Sequence, residues 1–203
     1  MMIIAIDGPS AAGKGTLAKR LAAALKLPYL DTGLLYRATA KLVLEAGADP
    51  ADEEAALRAA LALSEADTAR SDLRDATTAM AASKVAAMPA VRAALLAYQR
   101  AFGAAKGAVL DGRDIGTVIF PQADVKLYIT ASAQARAQRR HAEFMTRGEV
   151  MELDSVLRDL TARDEADKER SYPAADALLI DTTTMSADDA FAHALGLINT
   201  KIA

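Results

Sequence analysis

Met2-Ile3-Ile4-Ala5-Ile6-Asp7-Gly8-Pro9-Ser10-Ala11-Ala12-Gly13-Lys14-Gly15-Thr16 decides how the rest of the chain is read. Its first six residues are a short aliphatic run ending in Asp7, the pattern of a buried strand in a parallel sheet. Gly8 to Lys14 then keep the GxxxxGK spacing. Beyond them Leu17, Leu21, Ala24 and Leu25 recur at helical intervals until Pro28 stops the helix. Strand, glycine-rich turn and helix in that order predict a P-loop over Gly8–Thr16. The glycines let backbone N–H groups turn inward around phosphate oxygens, and the new helix aims about half a positive charge at the same anion. Lys14 adds a mobile cation for the outer phosphates. Gly15 stands where many such loops carry the Ser or Thr that ligates Mg²⁺, and Thr16 comes one place later. The expected cofactor, Mg²⁺, is therefore held mainly by ATP oxygens and water, with no protein ligand assigned to it.

Working outward, four more apolar runs end in polar or glycine-rich turns: Tyr29–Gly33 (YLDTG), Ala108–Gly112 (AVLDG), Val125–Thr130 (VKLYIT) and Ala177–Asp181 (ALLID). Helical patterns separate them. The alternation predicts an α/β fold, a three-layer sandwich on a five-stranded parallel sheet, with the whole chain as one P-loop domain. Residues 1–46 and 89–203 form the expected core. The stretch 47–88 is rich in alanine and charge and reads as a helical insertion. A second helical excursion, 131–147, is crowded with Arg136, Arg139 and Arg140.

Composition removes several function classes. The chain has 203 residues, 52% of them hydrophobic and 25% charged, which suits one domain with a buried core. Cysteine is absent, which excludes disulfides and thiolate metal sites. The two histidines, His141 and His193, lie far apart and read as ordinary residues. A net charge of −3 argues against nucleic acid as a main partner. No apolar run is long enough to cross a bilayer, and Met1–Ile6 is too short for a secretory signal. The only asparagine is Asn199, with no Asp after it, so the guanine-reading Asn-Lys-x-Asp motif of a GTPase is missing.

A kinase for a small phosphorylated acceptor needs a second anion site, because two highly charged groups must be brought together. Ligands of open parallel sheets bind at the carboxyl ends of strands. Asp31-Thr32-Gly33 closes the second predicted strand with Tyr36 and Arg37 a helical turn later, and Asp111-Gly112-Arg113-Asp114 closes the third. Arg37 and Arg113 are thus candidates to clamp an acceptor phosphate, against the plainer reading of surface ion pairs. Arg163, Asp167 and Arg170, spaced four and three apart, fall on one face of a predicted helix. Their surroundings (Asp164, Glu165, Lys168, Glu169) equally suit an exposed ladder of ion pairs.

The GKGT ending resembles nucleoside monophosphate kinases. The fuller set, IDGPSAAGKGT (6–16), LDTGLLYR (30–37), ASKVAAMPAVRAALLAYQRAF (82–102), LDGRDIGTVIFP (110–121) and RDEADKERSYPAADALLIDTT (163–183), closely resembles the bacterial cytidylate kinase family along nearly the whole chain. GRDxGTVxFP with RDxxDxxR is far more specific than the P-loop. The resemblance implies transfer of the γ-phosphoryl group of ATP to CMP or dCMP. It implies that Ser83, Arg92, Asp114 and Arg170 read or line the cytosine, and that Arg37 and Arg113 hold the acceptor phosphate. Arg163 and Asp167 would contact the sugar, Arg163 also the transferring phosphate, and Thr32 and Tyr36 would line the acceptor pocket. Lys14, Arg113 and Arg163 are the implied catalytic cations. Segment 47–88 becomes the acceptor-binding insertion, and 131–147 a lid carrying Arg136, Arg139 and Arg140 to ATP. The chain departs from many members in a shortened insertion without an obvious hairpin between Ala48 and Ser83. Two other readings are a P-loop kinase for a different acceptor and a nucleotide sensor, although a sensor needs no second phosphate site. The expected partners are these nucleotides alone, without nucleic acid or membrane, for a cytoplasmic monomer.

Overall fold

A computed structural model describes residues 1–202. Its first unit, Met1–Leu30 with Lys106–Ala203, is built on the parallel sheet; the second is Asp31–Ala105. Strand β1 (Ile3–Asp7) leads through the glycine-rich turn into α1 (Lys14–Leu25), and β2 (Tyr29–Asp31) follows. The second unit then runs through α2 (Thr32–Glu45), α3 (Glu53–Leu61), the single turn α4 (Glu65–Thr68), a 3₁₀ turn (Ser71–Arg74), α5 (Ala76–Val85) and α6 (Pro89–Lys106). The chain returns with β3 (Ala108–Asp111), a π turn (Ile115–Ile119) and β4 (Val125–Thr130). It finishes with α7 (Ala133–Thr146), α8 (Leu153–Asp167), β5 (Leu178–Asp181) and α9 (Ala187–Ile202).

Among the described residues the sheet has five strands in the order β2-β3-β1-β4-β5. Central β1 pairs in parallel with β3 (Ile4 opposite Val109) and with β4 (Ile4 opposite Val125), and β4 pairs in parallel with β5. Ile4, Ile6, Val109, Leu127, Ile129 and Ile180 pack on Leu17, Ala18 and Leu21 of α1 and on Ala194 and Ile198 of α9. Each large aliphatic side chain so buried contributes roughly 1.5–3 kcal/mol. The α1 stripe is Lys14, Leu17, Ala18, Leu21 and Ala22; Ala24, expected on that face, is exposed. Lys26 ends the helix in the left-handed region, and its N–H with that of Leu27 satisfies the last carbonyls.

The second strand stops two residues before its expected end, because Thr32 and Gly33 already open α2. Segment 47–88 is helical, and it is one part of a larger body. Leu35, Ala40 and Val43 of α2 and Val91 and Leu95 of α6 share a core with Ala55, Ala56, Ala60, Ala81, Ala82 and Val85. Small side chains let these helices lie close, so the compact unit extends over 31–105, beyond the 47–88 span that the alanine content marks. Helices α5 and α6 bend by 98° at their junction, where Pro89 takes the first helical position and needs no N–H partner. No single helix among the described residues is long and apolar enough to cross a membrane.

Candidate active site

The loop from Gly8 to Gly13 is shaped by what surrounds it. Gly8 has φ 139°, and a Cβ there would stand 1.9 Å from the Ile129 carbonyl oxygen of β4, so only glycine lets β1 turn away at that point. Ala11 takes φ 60° and Gly13, the N-cap of α1, φ 91°. A left-handed alanine is uncommon and is held here by the packing of α7, α8 and the loop itself. Lys14 is buried, and its Nζ donates to the Pro9 carbonyl at 2.9 Å, folding the ammonium back over the loop. Gly15 leaves room beside Asp111: its missing Cβ would sit 3.5 Å from Asp111 Oδ2, an oxygen that accepts from the Tyr29 hydroxyl at 2.7 Å.

Two arginines from distant parts of the chain, Arg113 and Arg136, bond to this loop. Arg113, just beyond β3, donates to Ser10 Oγ at 2.5 Å, to Asp167 Oδ2 at 3.0 Å and to its neighbour Gly112 O at 3.2 Å. Asp167 holds Arg170 on its other oxygen. A continuous polar chain thus runs from Ser10 through Arg113 and Asp167 to Arg170. The expected single helical face ends sooner than the spacing suggests: α8 stops at Asp167 and Arg170 lies in the turn beyond, yet the ion pair forms. Arg136 is almost fully buried and donates to the Ser10 carbonyl at 3.2 Å while its fork clasps Asp164. Arg139 points elsewhere, to Thr182, whose hydroxyl in turn donates to the Ala12 carbonyl. Arg140 pairs with Glu143 at 2.8 Å. The expected lid segment is thus a helix, α7, packed on α8 through Ala137, Phe144, Val156 and Leu160.

Arg163 is the electrostatic oddity. Among the described residues its guanidinium makes no hydrogen bond or ion pair. Burial pushes its pKa below the ordinary arginine value, and the like charges of Arg140 and Arg113 push the same way, against Asp159 and Asp167. A half-buried cation beside two others favours an incoming anion.

Asp7 and Asp111 carry weight that no motif assigned to them. Asp7 ends β1 buried, and its carboxylate accepts from the N–H groups of Ile115 (2.8 Å) and Gly116 (2.7 Å), fixing the start of the π turn that follows Arg113 and Asp114. The available signal was a carboxylate closing an apolar strand. Burial raises its pKa from 3.8 to about 6, with help from the Asp114 charge and against the two N–H bonds and Lys14. Between those two values the folded chain holds more protons than the unfolded one. Asp7's contribution to stability therefore falls as pH rises from about 4 to about 6 and is level above. At about 1.4 kcal/mol per unit the full change is about 3 kcal/mol. Urea melts of wild type and Asp7→Asn from pH 4 to 8 are expected to show wild type losing that much relative to the variant across the window. A difference that stays constant with pH refutes the assignment.

In the second unit, buried Thr32 opens α2 and is followed by Tyr36 and Arg37. Arg92 Nη1 lies 3.4 Å from the Tyr36 hydroxyl, with its guanidinium 6.0 Å from the ring centre, so these two predicted residues meet. Arg37 Nη1 donates to the Leu73 carbonyl at 3.0 Å. Ser83 bonds back to the Ala79 carbonyl at 3.2 Å within its own helix. Arg74, which sequence reading passed over, pairs with Asp31 at 2.9 Å.

Comparison with known proteins matches residues 4–200 to the family model described as cytidylate kinase. The cytidylate kinase of Acidiphilium cryptum is 56% identical across 100% of this chain and 97% of its own length. Those of Paramagnetospirillum magneticum and Granulibacter bethesdensis are 56% and 54% identical, each over 98% of both chains. Among solved structures, TT1252 from Thermus thermophilus shares the fold, with TM-score 0.53 at 18% identity over 100% of this chain and 98% of that one. Full-length identity above one half, together with a glycine loop gripped by Lys14, Arg113 and Arg136, places this chain in the cytidylate kinase family.

Proposed function

We propose that this protein transfers the γ-phosphoryl group of ATP to CMP or dCMP, releasing ADP and CDP or dCDP. One observation carries the reading: Lys14, Arg113 and Arg136, from three separate elements, all bond to Pro9 or Ser10 of the P-loop, and Arg163 adds a half-buried cation nearby in charge terms. Guanidinium donors beyond the P-loop lysine thus stand at the loop, an arrangement that suits the charge that develops when two phosphates meet.

ATP lies on Gly8, Pro9, Ser10, Ala11, Ala12, Gly13, Lys14, Gly15 and Thr16, with Arg136, Arg139 and Arg140 from α7. The residues assigned to CMP are Thr32, Tyr36, Arg37, Ser83, Arg92, Arg113, Asp114, Arg163, Asp167 and Arg170. Segment 47–88 serves the acceptor, and α7 acts as the lid that excludes water. An oxygen of the acceptor phosphate attacks the γ-phosphorus, and the β,γ-bridging oxygen leaves on ADP. No protein nucleophile is involved. Alignment of the two bound substrates supplies roughly 7–11 kcal/mol of the barrier. The protein works as a cytoplasmic monomer on small-molecule substrates.

Mg²⁺ accompanies the donor. Among the described residues no group of three or more His, Asp or Glu is placed to cage a metal. Gly15 offers no hydroxyl, and Asp111 stands beside the loop with a buried carboxylate. Such a donor set fits an ion that arrives on ATP and keeps most of its water, with Thr16 and Asp111 holding those waters. When bound, it offsets charge on the β- and γ-phosphate oxygens.

Purified protein given ATP and Mg²⁺ is to be offered CMP, dCMP, UMP, AMP, dTMP and shikimate in turn, with ADP release followed. CMP and dCMP are expected to exceed the non-cytosine acceptors by at least about a hundredfold in kcat/KM, because a wrong base leaves buried polar groups unpaired. A higher kcat/KM for any other acceptor, or ATP binding without turnover on all of them, overturns the reading.

A further inference from the structure

We propose that Arg74 neutralises the Asp31 carboxylate and thereby keeps the first turn of α2 receptive to the acceptor's phosphate. This rests on the reading that Thr32, Tyr36 and Arg37 hold the acceptor. Asp31 occupies the N-cap position of α2, with φ −81° and ψ 97°, yet its side chain caps no helix N–H. It turns instead to Arg74 Nη2, 2.9 Å from Oδ2. Its other oxygen lies over the opening turn, 3.1 Å from where a Cβ on Gly33 would stand. A carboxylate is thus lodged at the helix end whose dipole favours anions. Left bare, it would repel a phosphate brought to Thr32 and Arg37.

The turn that supplies Arg74 is built to stay put. Leu73 is fully buried, and its carbonyl accepts from Arg37 at 3.0 Å, so neighbouring residues of one turn hold both charged groups. Arg70 clasps Glu45 of α2 and also Asp72, and Lys41 of α2 reaches Asp72 at 3.3 Å. Asp75, immediately after, caps α5 through Thr78. A 3₁₀ turn of four residues, Ser71–Arg74, therefore fixes the position of Arg37 and the charge of Asp31 together. The arginine of the pair is 42% exposed and the aspartate 15%; without Arg74 the Asp31 carboxylate still sits at the α2 N-terminus, where the helix dipole favours it, so the fold is expected to persist.

The test compares steady-state KM values for CMP and ATP in wild type, Arg74→Ala, Arg74→Lys, the pair Arg74→Ala with Asp31→Asn, and Arg37→Ala. Arg74→Ala is expected to raise KM for CMP about tenfold, the effect of one uncompensated charge near a phosphate at a partly hydrated site. KM for ATP stays unchanged, and so does the melting temperature. Lysine at 74 retains the wild-type KM, and Asp31→Asn restores it in the Arg74→Ala background. An unchanged KM for CMP in Arg74→Ala overturns the proposal. So does an increase that Asp31→Asn fails to relieve, since Arg74 would then touch the phosphate itself. Arg37→Ala separates the two layers of inference. If it leaves KM for CMP unaltered, the acceptor reading falls; if it raises KM while Arg74→Ala does not, the role of Arg74 alone is lost.

Discussion

Lys14→Ala is expected to lower kcat for CMP phosphorylation about a hundred- to a thousandfold, the usual cost of removing one preorganised group from developing charge. The structure explains why the loss reaches kcat as well as ATP affinity. The ammonium is buried and anchored 2.9 Å from the Pro9 carbonyl, so it stands inside the loop before any phosphate arrives. A lysine swinging in solution must be ordered at the moment of reaction, at about 2 kcal/mol of rotamer entropy. Here that ordering is done by folding. The variant leaves the Pro9 carbonyl without this donor and removes a charge that Asp7 feels, so its stability falls by about 1–3 kcal/mol, short of unfolding. ADP release with saturating CMP, set beside a thermal melt, makes the check. A folded Lys14→Ala enzyme keeping more than a tenth of the wild-type rate would remove the ammonium from the mechanism.

The scaffold was legible because its signals are local. IIAID, AVLD, VKLYIT and LLID are short aliphatic runs, and each is a strand within a residue or two of its expected bounds. The P-loop is a nine-residue pattern in which Gly8 and Gly13 answer to positions where a side chain would collide or strain. The site is harder, because its bonds join distant residues. Ser10 to Arg113 spans 103 positions and Arg113 to Asp167 spans 54, and no periodicity announces such pairs. Family motifs named Arg113, Asp167 and Arg170, but only coordinates show one carboxylate serving both arginines. Charge alone could not separate Arg136, bonded to the loop, from Arg139, which turns to Thr182. Asp7 was invisible for another reason: inside IIAID it looks like a strand's polar terminus, and its two N–H partners lie more than a hundred residues away.

The compact unit 31–105 is wider than the alanine-rich stretch 47–88, because alanine reads ambiguously. A run of alanines marks helix but not which helices pack together. The shared core of α2, α3, α5 and α6 is made mostly of residues too small to leave a strong periodic stripe. The 3₁₀ turn at Ser71–Arg74 was equally hidden: DLRD looks like solvated charge until Leu73 is seen to be fully buried.

Arg113→Lys is expected to cost nearly as much as Lys14→Ala, about a hundredfold or more in kcat, although it preserves the charge. Three donors of one planar group are in use: Nε on Asp167, Nη2 on Ser10 and Nη1 on Gly112. A lysine ammonium is a point on a flexible stem and cannot span Ser10 and Asp167 together. Its failure would loosen Asp167, which would then answer to Arg170 alone, and with it the approach of the acceptor to the loop. KM for CMP is therefore expected to rise along with the fall in kcat, while KM for ATP moves little because Lys14 and Arg136 still grip the loop. A purely structural role predicts something else: a lower melting temperature with kcat and KM for CMP untouched. If Arg113→Lys gives that pattern, the arginine is a strut between the P-loop and α8, and the phosphate it was assigned must be held by Arg163.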